Sequence, residues 1–344
     1  MSLSNASLPA QVYQMIKPPP PVFPGANLIQ PLGDELAVDN FDGFSPLENE
    51  SSEIRPWHAV QIPIGSWGDP NVWTQQQLGS TTIERFRESF VQKVELTGGF
   101  IHRNRDSDLG YTWASAAITL VVPLDSSNDN LILLTPSYRT DWLDGPDFVD
   151  VPGQVQSSSV IIGLRRIFNS RWSLIAGIQP GFFTDNDSES DGFRLSGLAM
   201  LNYKVIPDVL TVSGGIVFTG RNDVPVLPGF GFTWIPNPNT RFDINFPKPK
   251  ISRRIGHIPF VLEDWIYLHG SFGGGEWAVQ RVSGVDDVLT IRDFRFGVGY
   301  ERILNGGTGY NIELGYVFAR QIEYESGLEV PLDDSFLIEM GLRF

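Results

Sequence analysis

The stretch FLIEMGLRF, residues Phe336–Phe344, alternates between two kinds of side chain along its whole length. One set is large and apolar: Phe336, Ile338, Met340, Leu342 and Phe344. The other set is Leu337, Glu339, Gly341 and Arg343. Because successive side chains of a β-strand point to opposite faces, this pattern predicts a strand with one apolar and one charged face. An exposed apolar edge would promote aggregation, so the pattern favours a sheet that is closed.

The aromatic end of this stretch resembles the terminal signature of bacterial outer-membrane β-barrels. In those proteins the final aromatic residue is recognised by the barrel assembly machinery. The resemblance implies that Phe344 is an assembly signal and that this machinery and outer-membrane lipid are partners. The alternative is an ordinary C-terminal edge strand.

Composition narrows the fold and the function classes. The 344 residues include 35 Gly and 25 Pro, are 41% hydrophobic, and carry a net charge of −15. Many glycines and prolines suit short strands and turns. The acidic balance argues against a nucleic-acid partner, since phosphate binding needs a basic surface. The absence of cysteine excludes disulfides, thiolate metal sites and a cysteine nucleophile.

A membrane crossing, if there is one, is predicted to use strands. No run of 18 apolar residues occurs, so the sequence offers no transmembrane helix, and only a closed barrel remains as a spanning structure. The first residues, MSLSNASLPAQVYQ, lack the charged and apolar regions of a secretory signal, which counts against export of the chain as written.

Residues 1–86 differ from the rest of the chain. A proline cluster at 18–24 is followed by an acidic, Asn-rich run with no sustained period, which predicts an irregular periplasmic extension. Three tryptophans, Trp57, Trp67 and Trp73, interrupt this polarity and are predicted to pack against the rim of the barrel. The alternative is an anchor for a periplasmic partner. Residues 87–344 are predicted to form the barrel.

From Phe90 onward the two-residue alternation recurs almost without a break. It predicts long strands at 90–100, 110–122, 130–140, 157–168, 171–183, 192–204, 208–219, 227–235, 265–281, 288–302, 308–324 and 333–344, with a short pair at 241–246 and 250–255. The predicted fold class is therefore all-β, an antiparallel transmembrane β-barrel of 12 long strands plus a possible short pair, 12 to 14 in total.

The connections support a barrel, because outer-membrane barrels have short turns at one end and long loops at the other. Alternate connections are tight, as at Asn169–Ser170 and 205–207, and the others are long and mostly acidic, as at 141–154. The exception is the long connection predicted at 256–264, and the run Gly273–Gly275 predicts a bulge.

The polar faces of the predicted strands carry charges that water or ion pairs must accommodate, because a charge facing lipid costs about 2–4 kcal/mol at the midplane. The predicted lumen-lining residues are Lys93, Glu95, Asp293, Arg295, Glu301, Glu313, Gln321, Glu323, Glu339 and Arg343. Two interpretations remain open. Either these charges form a cross-strand ladder that fills the lumen, or they line a wet pore that prefers cations.

The sequence gives little support for catalysis. The four histidines show no metal-ligand spacing, and GGGEW at 273–277 has no phosphate-loop context. Ser271 beside His269 is the nearest pair for nucleophilic chemistry, but both lie on one predicted strand. We therefore predict no enzymatic activity, no metal and no cofactor.

Three further stretches resemble an outer-membrane β-barrel family of unknown function. They are GFGFTWIPNPNTRFDINFPKPKISRR at 229–254, GVGYERILNGGTGYNIELGYVFARQIEY at 297–324 and the terminal FLIEMGLRF. The resemblance covers roughly residues 88–344 and implies location in the cell outer membrane. The predicted function is a narrow, porin-like channel for small solutes or cations. The alternative is a structural or surface-binding barrel with a salt-bridged, closed lumen and acidic external loops.

Overall fold

A computed structural model describes residues 83–85, 89–126, 128–188, 192–220 and 225–344. The predicted extension up to residue 82, with its three tryptophans, lies outside the described residues, as does the predicted domain boundary at residue 86.

The described residues form fifteen β-strands and one short 3-10 helix, Asp147–Val149. The strands are β1 Val91–Ile101, β2 Gly110–Pro123, β3 Asn130–Asp144, β4 Gln154–Ile167, β5 Trp172–Thr184, β6 Phe193–Ile206, β7 Leu210–Phe218, β8 Val226–Asn237, β9 Thr240–Phe246, β10 Lys250–Ile258, β11 Leu262–Gln280, β12 Asp286–Leu304, β13 Gly309–Tyr324, β14 Glu329–Leu332 and β15 Ser335–Arg343. In this part of the chain, no helix is long and apolar enough to cross a membrane.

The strands form one closed antiparallel barrel. Each strand from β1 to β13 pairs with the next, and β15 pairs with both β13 and β1. Fourteen strands close the wall, and β14 lies outside this set, against the far half of β13. At the closure, the backbone N–H groups of Val94 and Phe344 each donate to the other's carbonyl, at 3.0 and 2.9 Å. The predicted fold class is confirmed, including the short pair, which is β9 and β10.

Connections are mostly short at one end of the barrel and mostly long at the other, where the short β9–β10 connection, 247–249, is the exception. We call the turn end the one with connections 124–129, 168–171, 207–209, 238–239, 259–261 and 305–308. We call the loop end the one with connections 102–109, 145–153, 185–192, 219–225 and 281–285. The long turn predicted at 256–264 is wrong, because β10 continues to Ile258 and leaves a short connection.

The glycine run in β11 bends the strand without the predicted bulge. Gly273–Gly275 pair with Asp293, Arg292 and Ile291 in unbroken register. Gly274 has φ +87°, a conformation that only glycine adopts without strain. The bend matters because β11 beyond this point leans across the loop end of the barrel.

The outer face of the wall is apolar. Leu314, Phe336 and Met340 are 60%, 66% and 55% exposed. An aromatic belt runs around part of this face, with ring centroids 5.8 Å apart for Phe246–Phe272, 4.8 Å for Phe272–Phe294 and 5.8 Å for Phe294–Phe318. A continuous exposed apolar face of this kind needs an apolar surrounding or a partner.

Candidate functional site

The inward face of the barrel collects the charges that the alternation predicted. Eight of the predicted residues lie there: Lys93, Glu95, Asp293, Arg295, Glu301, Glu313, Glu339 and Arg343. They occupy the odd positions of β1, β12, β13 and β15, where side chains are buried or half-buried, whereas most of the exposed large apolar residues of these strands occupy even positions. Their role as the lining of a pore remains a prediction, and it depends on whether their charges are paired with one another.

Arg343 is the centre of one ion-pair network. Its guanidinium lies 2.5 Å from Glu301 Oε1 and 3.3 Å from Glu95 Oε1. Glu95 also pairs with Lys93, and Glu301 lies 3.5 Å from Lys250 Nζ on β10. Each carboxylate in the network therefore has two cationic neighbours, so its charge is compensated within the protein.

A second network spans the lumen from β12 to β2. Arg295 Nε donates to Asp293 Oδ1 at 2.6 Å, and Arg295 Nη2 donates to the Tyr111 hydroxyl at 2.6 Å. The guanidinium of Arg295 also lies 5.7 Å from the ring of Trp113. Since three strands separate β2 from β12 in the wall, this contact crosses the interior.

Glu313 forms a third group with two residues of β11. Its Oε1 lies 2.5 Å from His269 Nε2, and its Oε2 accepts from the Tyr267 hydroxyl at 3.2 Å. Glu339 faces inward next to it, as the register partner of Glu313. His269 and Ser271 both project inward, which places the pair away from the outer face where a lipid-facing nucleophile would be expected.

The inward placement predicted for Gln321 and Glu323 is corrected by the structure. Ala319 has φ +49°, and the register between β12 and β13 shifts between Arg292 and Phe294. This irregularity reverses the alternation, so that Arg320, Ile322 and Tyr324 are buried inside. Gln321 and Glu323 lie on the opposite face, where both accept hydrogen bonds from Arg292.

Part of the lumen wall on β2–β5 is rich in uncharged hydroxyl and amide groups. Thr135 donates to Thr119 at 3.3 Å, Ser137 and Ser159 lie 2.9 Å apart, and Gln179 donates to Ser159 at 2.8 Å. Charged side chains thus dominate the lumen face of β10–β13, β15 and β1, whereas on β2–β5 hydroxyl and amide groups lie together with the Arg139–Asp141 ion pair and with Arg165. Among the inward carboxylates of β1, β12, β13 and β15, Glu339 is the one for which the described residues provide no ion-pair partner, and it lies beside Glu313.

The β11–β12 hairpin closes the loop end. The indole N–H of Trp277 donates to Ser157 Oγ at 3.1 Å, although β11 and β4 lie on opposite sides of the fourteen-strand wall. Ala278 pairs in parallel with Thr184 of β5. Below the hairpin tip lies an apolar core that includes Trp113, Trp277 and Leu289. The hairpin therefore crosses the lumen and packs against the far wall.

Two carboxylates, Asp150 and Asp287, bind Arg281 at the tip of the hairpin. Arg281 Nε donates to Asp150 Oδ2 at 3.1 Å, and Arg281 Nη1 donates to Asp287 Oδ2 at 3.3 Å. Asp287 Oδ2 also accepts from the Ser326 hydroxyl at 2.6 Å. Burial lowers the pKa of Arg281, but the hydrogen bond to Asp150 and the nearby carboxylates raise it, so the pKa lies above its ordinary value. Asp150 of the connection 145–153 and Asp287 of β12 thus together neutralise Arg281.

An ion-pair group of three residues lies at the turn end, around the buried Glu263. Arg85, in the segment before β1, lies 2.5 Å from Glu263 Oε2, and Arg254 lies 2.9 Å from Glu263 Oε1. Ile83 packs with Trp265 and Ile303. Residues 83–85, the first that the structure describes, therefore contact inward side chains of the barrel.

Several inward charged residues were missing from the sequence-based set. Arg139 pairs with Asp141 on β3 at 2.5 Å, and Lys250 contacts Glu301. All three occupy inward positions on strands that the sequence did predict, so the period-two rule was sufficient to find them. Tyr111 and Tyr267 carry no charge, and only their contacts with Arg295 and Glu313 reveal their part in the networks.

Comparison with protein families identifies the chain. A family model described as a domain of unknown function, DUF6268, matches residues 149–328, just over half of the sequence. The chain belongs to the DUF6268 family. The predicted resemblance to an outer-membrane barrel family of unknown function is confirmed. Among curated proteins, no relative of this DUF6268 member is found.

Two solved structures show a similar barrel. LpxR from Salmonella typhimurium matches with 9% identity and a TM-score of 0.38, over 73% of this DUF6268 chain and 99% of LpxR. The TodX deltaS2S3 mutant, a monoaromatic hydrocarbon channel, matches with 9% identity and a TM-score of 0.35, over 73% and 88% of the two chains. Likeness at this level shows the fold alone.

The prediction that the chain is not an enzyme is contradicted by this comparison. LpxR, the neighbour on which this correction rests, is an outer-membrane lipid A deacylase. The likeness transfers no activity to the DUF6268 chain.

Proposed function

We propose that this protein is a barrel of the cell outer membrane whose resting lumen is closed to the free flow of ions. The observation that carries the proposal is the β11–β12 hairpin, whose Trp277 and Ala278 contact Ser157 and Thr184 on the far side of the wall. A barrel of about 16 strands encloses an aqueous channel and one of about eight is filled, so the fourteen-strand barrel needs such a device to close.

The outer face supports the membrane placement. Leu314, Phe336 and Met340 are more than half exposed, and the aromatic belt crosses neighbouring strands as the girdles of outer-membrane barrels do. In lipid this face is solvated, whereas in water it would associate with other apolar surfaces.

The paired charges also support a closed lumen. A cation-selective lining needs carboxylates that are free to attract ions from water. Glu301 and Glu95 each have two cationic neighbours, and Glu313 contacts His269 and Tyr267. These contacts favour the salt-bridged alternative over the cation-preferring pore.

A narrow polar conduit is the second candidate. The neutral wall of Thr135, Ser137, Ser159 and Gln179 presents hydroxyl and amide groups without charge, which suits small uncharged solutes. Such a conduit would open only when the hairpin leaves the lumen.

Planar-bilayer recording of the refolded full chain tests closure. The unmodified protein should leave the membrane near its baseline current. Replacing residues 277–289 by Asn-Gly joins the paired residues Glu276 and Thr290 through a two-residue turn and should produce discrete current steps. Steady conductance of the unmodified protein would contradict the proposal. Because the shortened chain loses core residues, Trp277→Ala is recorded in parallel, and each protein is checked for heat-modifiable mobility. If the shortened barrel folds but carries no current, the hairpin is not the closing element.

A further inference from the structure

Two arginines lie on the outer face of the barrel where β4, β5 and β6 meet the turn end. Arg166 is the next-to-last residue of β4, and Arg171 is the last residue of the connection 168–171. Arg166 shares the even positions of β4 with Ile162, which is exposed on the outer face. Both arginine side chains are exposed as well. The two cations therefore face the medium that surrounds the barrel at its turn end.

Hydrogen bonds and a ring contact hold Arg171 in place. Its Nη1 donates to the Tyr203 hydroxyl at 3.1 Å, and the Tyr203 ring lies 4.6 Å from the ring of Trp172 on the neighbouring strand. The side-chain oxygen of Asn169 accepts from the backbone N–H groups of Arg171 and Trp172, at 2.9 Å each. Of the N–H donors of the guanidinium, the described residues engage one, so the others are available to a bound molecule.

Arg166 lies beside this group. Its guanidinium is 5.4 Å from the centre of the Phe168 ring, within the range of a cation–π contact. The backbone N–H of Phe168 donates to the carbonyl of Trp172 at 3.0 Å, so the two arginine sites are neighbours on the sheet. The Phe168 and Trp172 side chains are 50% and 40% exposed. We call Arg166, Phe168, Arg171, Trp172 and Tyr203 the rim patch.

The positive charges of the rim patch are not compensated by the protein. Among the residues that the structure describes, no carboxylate forms an ion pair with either arginine. Acids do occur in the flanking connections, 124–129 and 207–209: Asp125, Asp129 and Asp208. Asp129 interacts electrostatically with the inward Arg165, and Asp125 accepts from the backbone N–H of Asp129 at 3.0 Å. Both guanidinium groups of the rim patch therefore remain available to an anion.

The two ends of the β5–β6 hairpin differ in charge. The loop-end connection 185–192 contains no basic residue and four acids, Asp185, Asp187, Glu189 and Asp191. Arg302, an outward arginine of β12 near the turn end, pairs with Asp264 at 2.7 Å, unlike the arginines of the rim patch. An anionic molecule is therefore attracted to the turn end of this hairpin and repelled from its loop end.

From the rim patch toward the middle of the wall, the outer face is apolar. Ile162 on β4, Ile178 on β5 and Leu201 on β6 are exposed there. Cations at the edge followed by apolar side chains match the order of groups in a phospholipid, in which the phosphate lies outside the acyl chains. Tryptophan and tyrosine are enriched at this boundary, because their rings are apolar and their N–H or O–H groups are polar. The arrangement fits an anionic lipid better than a soluble anion, for which the apolar neighbours have no role.

We propose that the rim patch binds the phosphate group of an anionic glycerophospholipid from the surrounding bilayer. The proposal rests on the outer-membrane placement proposed above. The guanidinium groups of Arg166 and Arg171 donate to the phosphate oxygens, a pairing that the planar fork of arginine favours. Phe168 and Trp172 lie against the first part of the acyl chains. A phosphatidylcholine headgroup binds less tightly, because its own cation compensates the phosphate.

Competition between two lipids, followed by native mass spectrometry, tests the proposal. The full chain is refolded in vesicles of equal parts phosphatidylglycerol and phosphatidylcholine and transferred to mild detergent, and the lipids that stay bound are counted. The unmodified protein should retain phosphatidylglycerol in preference to phosphatidylcholine. One cation near an anionic headgroup changes the affinity about fivefold, so Arg171→Gln should lower this preference about fivefold. Arg166→Gln combined with Arg171→Gln should lower it about 25-fold.

Arg253→Gln is the matched control, because it removes the same charge elsewhere on the outer face. Arg253 is an exposed arginine of β10, and the described residues offer it neither an ion pair nor a ring contact. Five strand spacings of about 4.8 Å separate β10 from β5, or about 24 Å along the wall. Since the Debye length is about 10 Å at 0.1 M salt, this variant should change the preference less than about twofold.

Equal retention of the two lipids by the unmodified protein would overturn the proposal, as would equal losses in Arg171→Gln and Arg253→Gln. A second measurement needs no variant. Raising the salt from about 0.1 M to about 1 M shortens the Debye length to about 3 Å and should lower the preference, and a preference that salt leaves unchanged would also overturn the proposal. Steady conductance of the unmodified barrel would contradict the closed lumen alone, whereas a chain that the vesicles do not take up would contradict the membrane placement and the lipid site together.

Discussion

Replacing Arg343 by Met should destabilise the barrel far more than the same change at an arginine outside the lumen. Arg343 lies 2.5 Å from Glu301 and 3.3 Å from Glu95, and its side chain is 16% exposed. Met keeps much of the length and apolar stem of Arg but removes the charge and all its donors. The loss of stability in this variant therefore reports on the ion pairs of Arg343 and not on its packing.

The magnitude follows from the partners that remain. Breaking a buried pair by removing one ion costs about 3–5 kcal/mol when the other is left uncompensated. Here Glu301 retains Lys250 and Glu95 retains Lys93. We therefore expect a smaller loss in the free energy of unfolding, about 2–3 kcal/mol.

Arg302 supplies the matched control. It pairs with Asp264 at 2.7 Å, but the two side chains are 36% and 15% exposed. Exposed pairs contribute about 0–1 kcal/mol, so Arg302→Met should cost no more than that.

Urea unfolding of the refolded proteins in phospholipid vesicles, followed by tryptophan fluorescence, measures both values. Arg343→Met combined with Glu301→Gln should recover part of the loss, because the neutral amide no longer needs a cation. If Arg343→Met proves no more destabilising than Arg302→Met, the networks are not compensated buried charges and the account of the lumen is wrong.

Three further predictions address assembly and backbone. Deleting Phe344 should lower the amount of folded, heat-modifiable barrel in the outer membrane at unchanged synthesis. If the deletion variant inserts normally, Phe344 is not the assembly signal. A chain that begins at Thr82, supplied with a working signal, should still fold, since it retains Arg85 and its bond to Glu263; failure to fold would show that the barrel needs earlier residues. Ala319→Gly should stabilise the barrel by up to about 1 kcal/mol, because φ +49° is unfavourable for a residue with a Cβ; a clear loss in the same urea titration would refute this.

The two-residue period was enough to predict most of the inward set. It applies wherever a strand is regular, and so Glu301, Glu313 and Arg343 were placed correctly on the charged face. It failed at Gln321 and Glu323 because one residue with positive φ, Ala319, reverses the alternation. Nothing in the local sequence ARQIEY marks that position, since alanine is not a typical residue for such a conformation.

The closing hairpin was beyond sequence reasoning for a different reason. It depends on which distant strands meet, as with Ala278 of β11 and Thr184 of β5. The alternation predicts that β9 and β10 are short, but it does not say that β11 reaches across the lumen to β5. The ion-pair partners could not be predicted from the sequence for the same reason, because Arg295 of β12 and Tyr111 of β2 come together only in a barrel that β15 and β1 close.

Disulfide trapping of the hairpin against the far wall tests the closed lumen most directly. The sequence contains no cysteine, so a double variant with Thr184→Cys and Ala278→Cys has no competing thiols. Paired β-residues lie within the Cα separation of about 4.4–6.8 Å that a disulfide requires. The account predicts rapid and nearly complete cross-linking in the folded barrel under mild oxidation, seen as a mobility shift that reductant reverses and neither single variant shows. A folded double variant that stays uncross-linked would mean that the hairpin does not rest across the lumen.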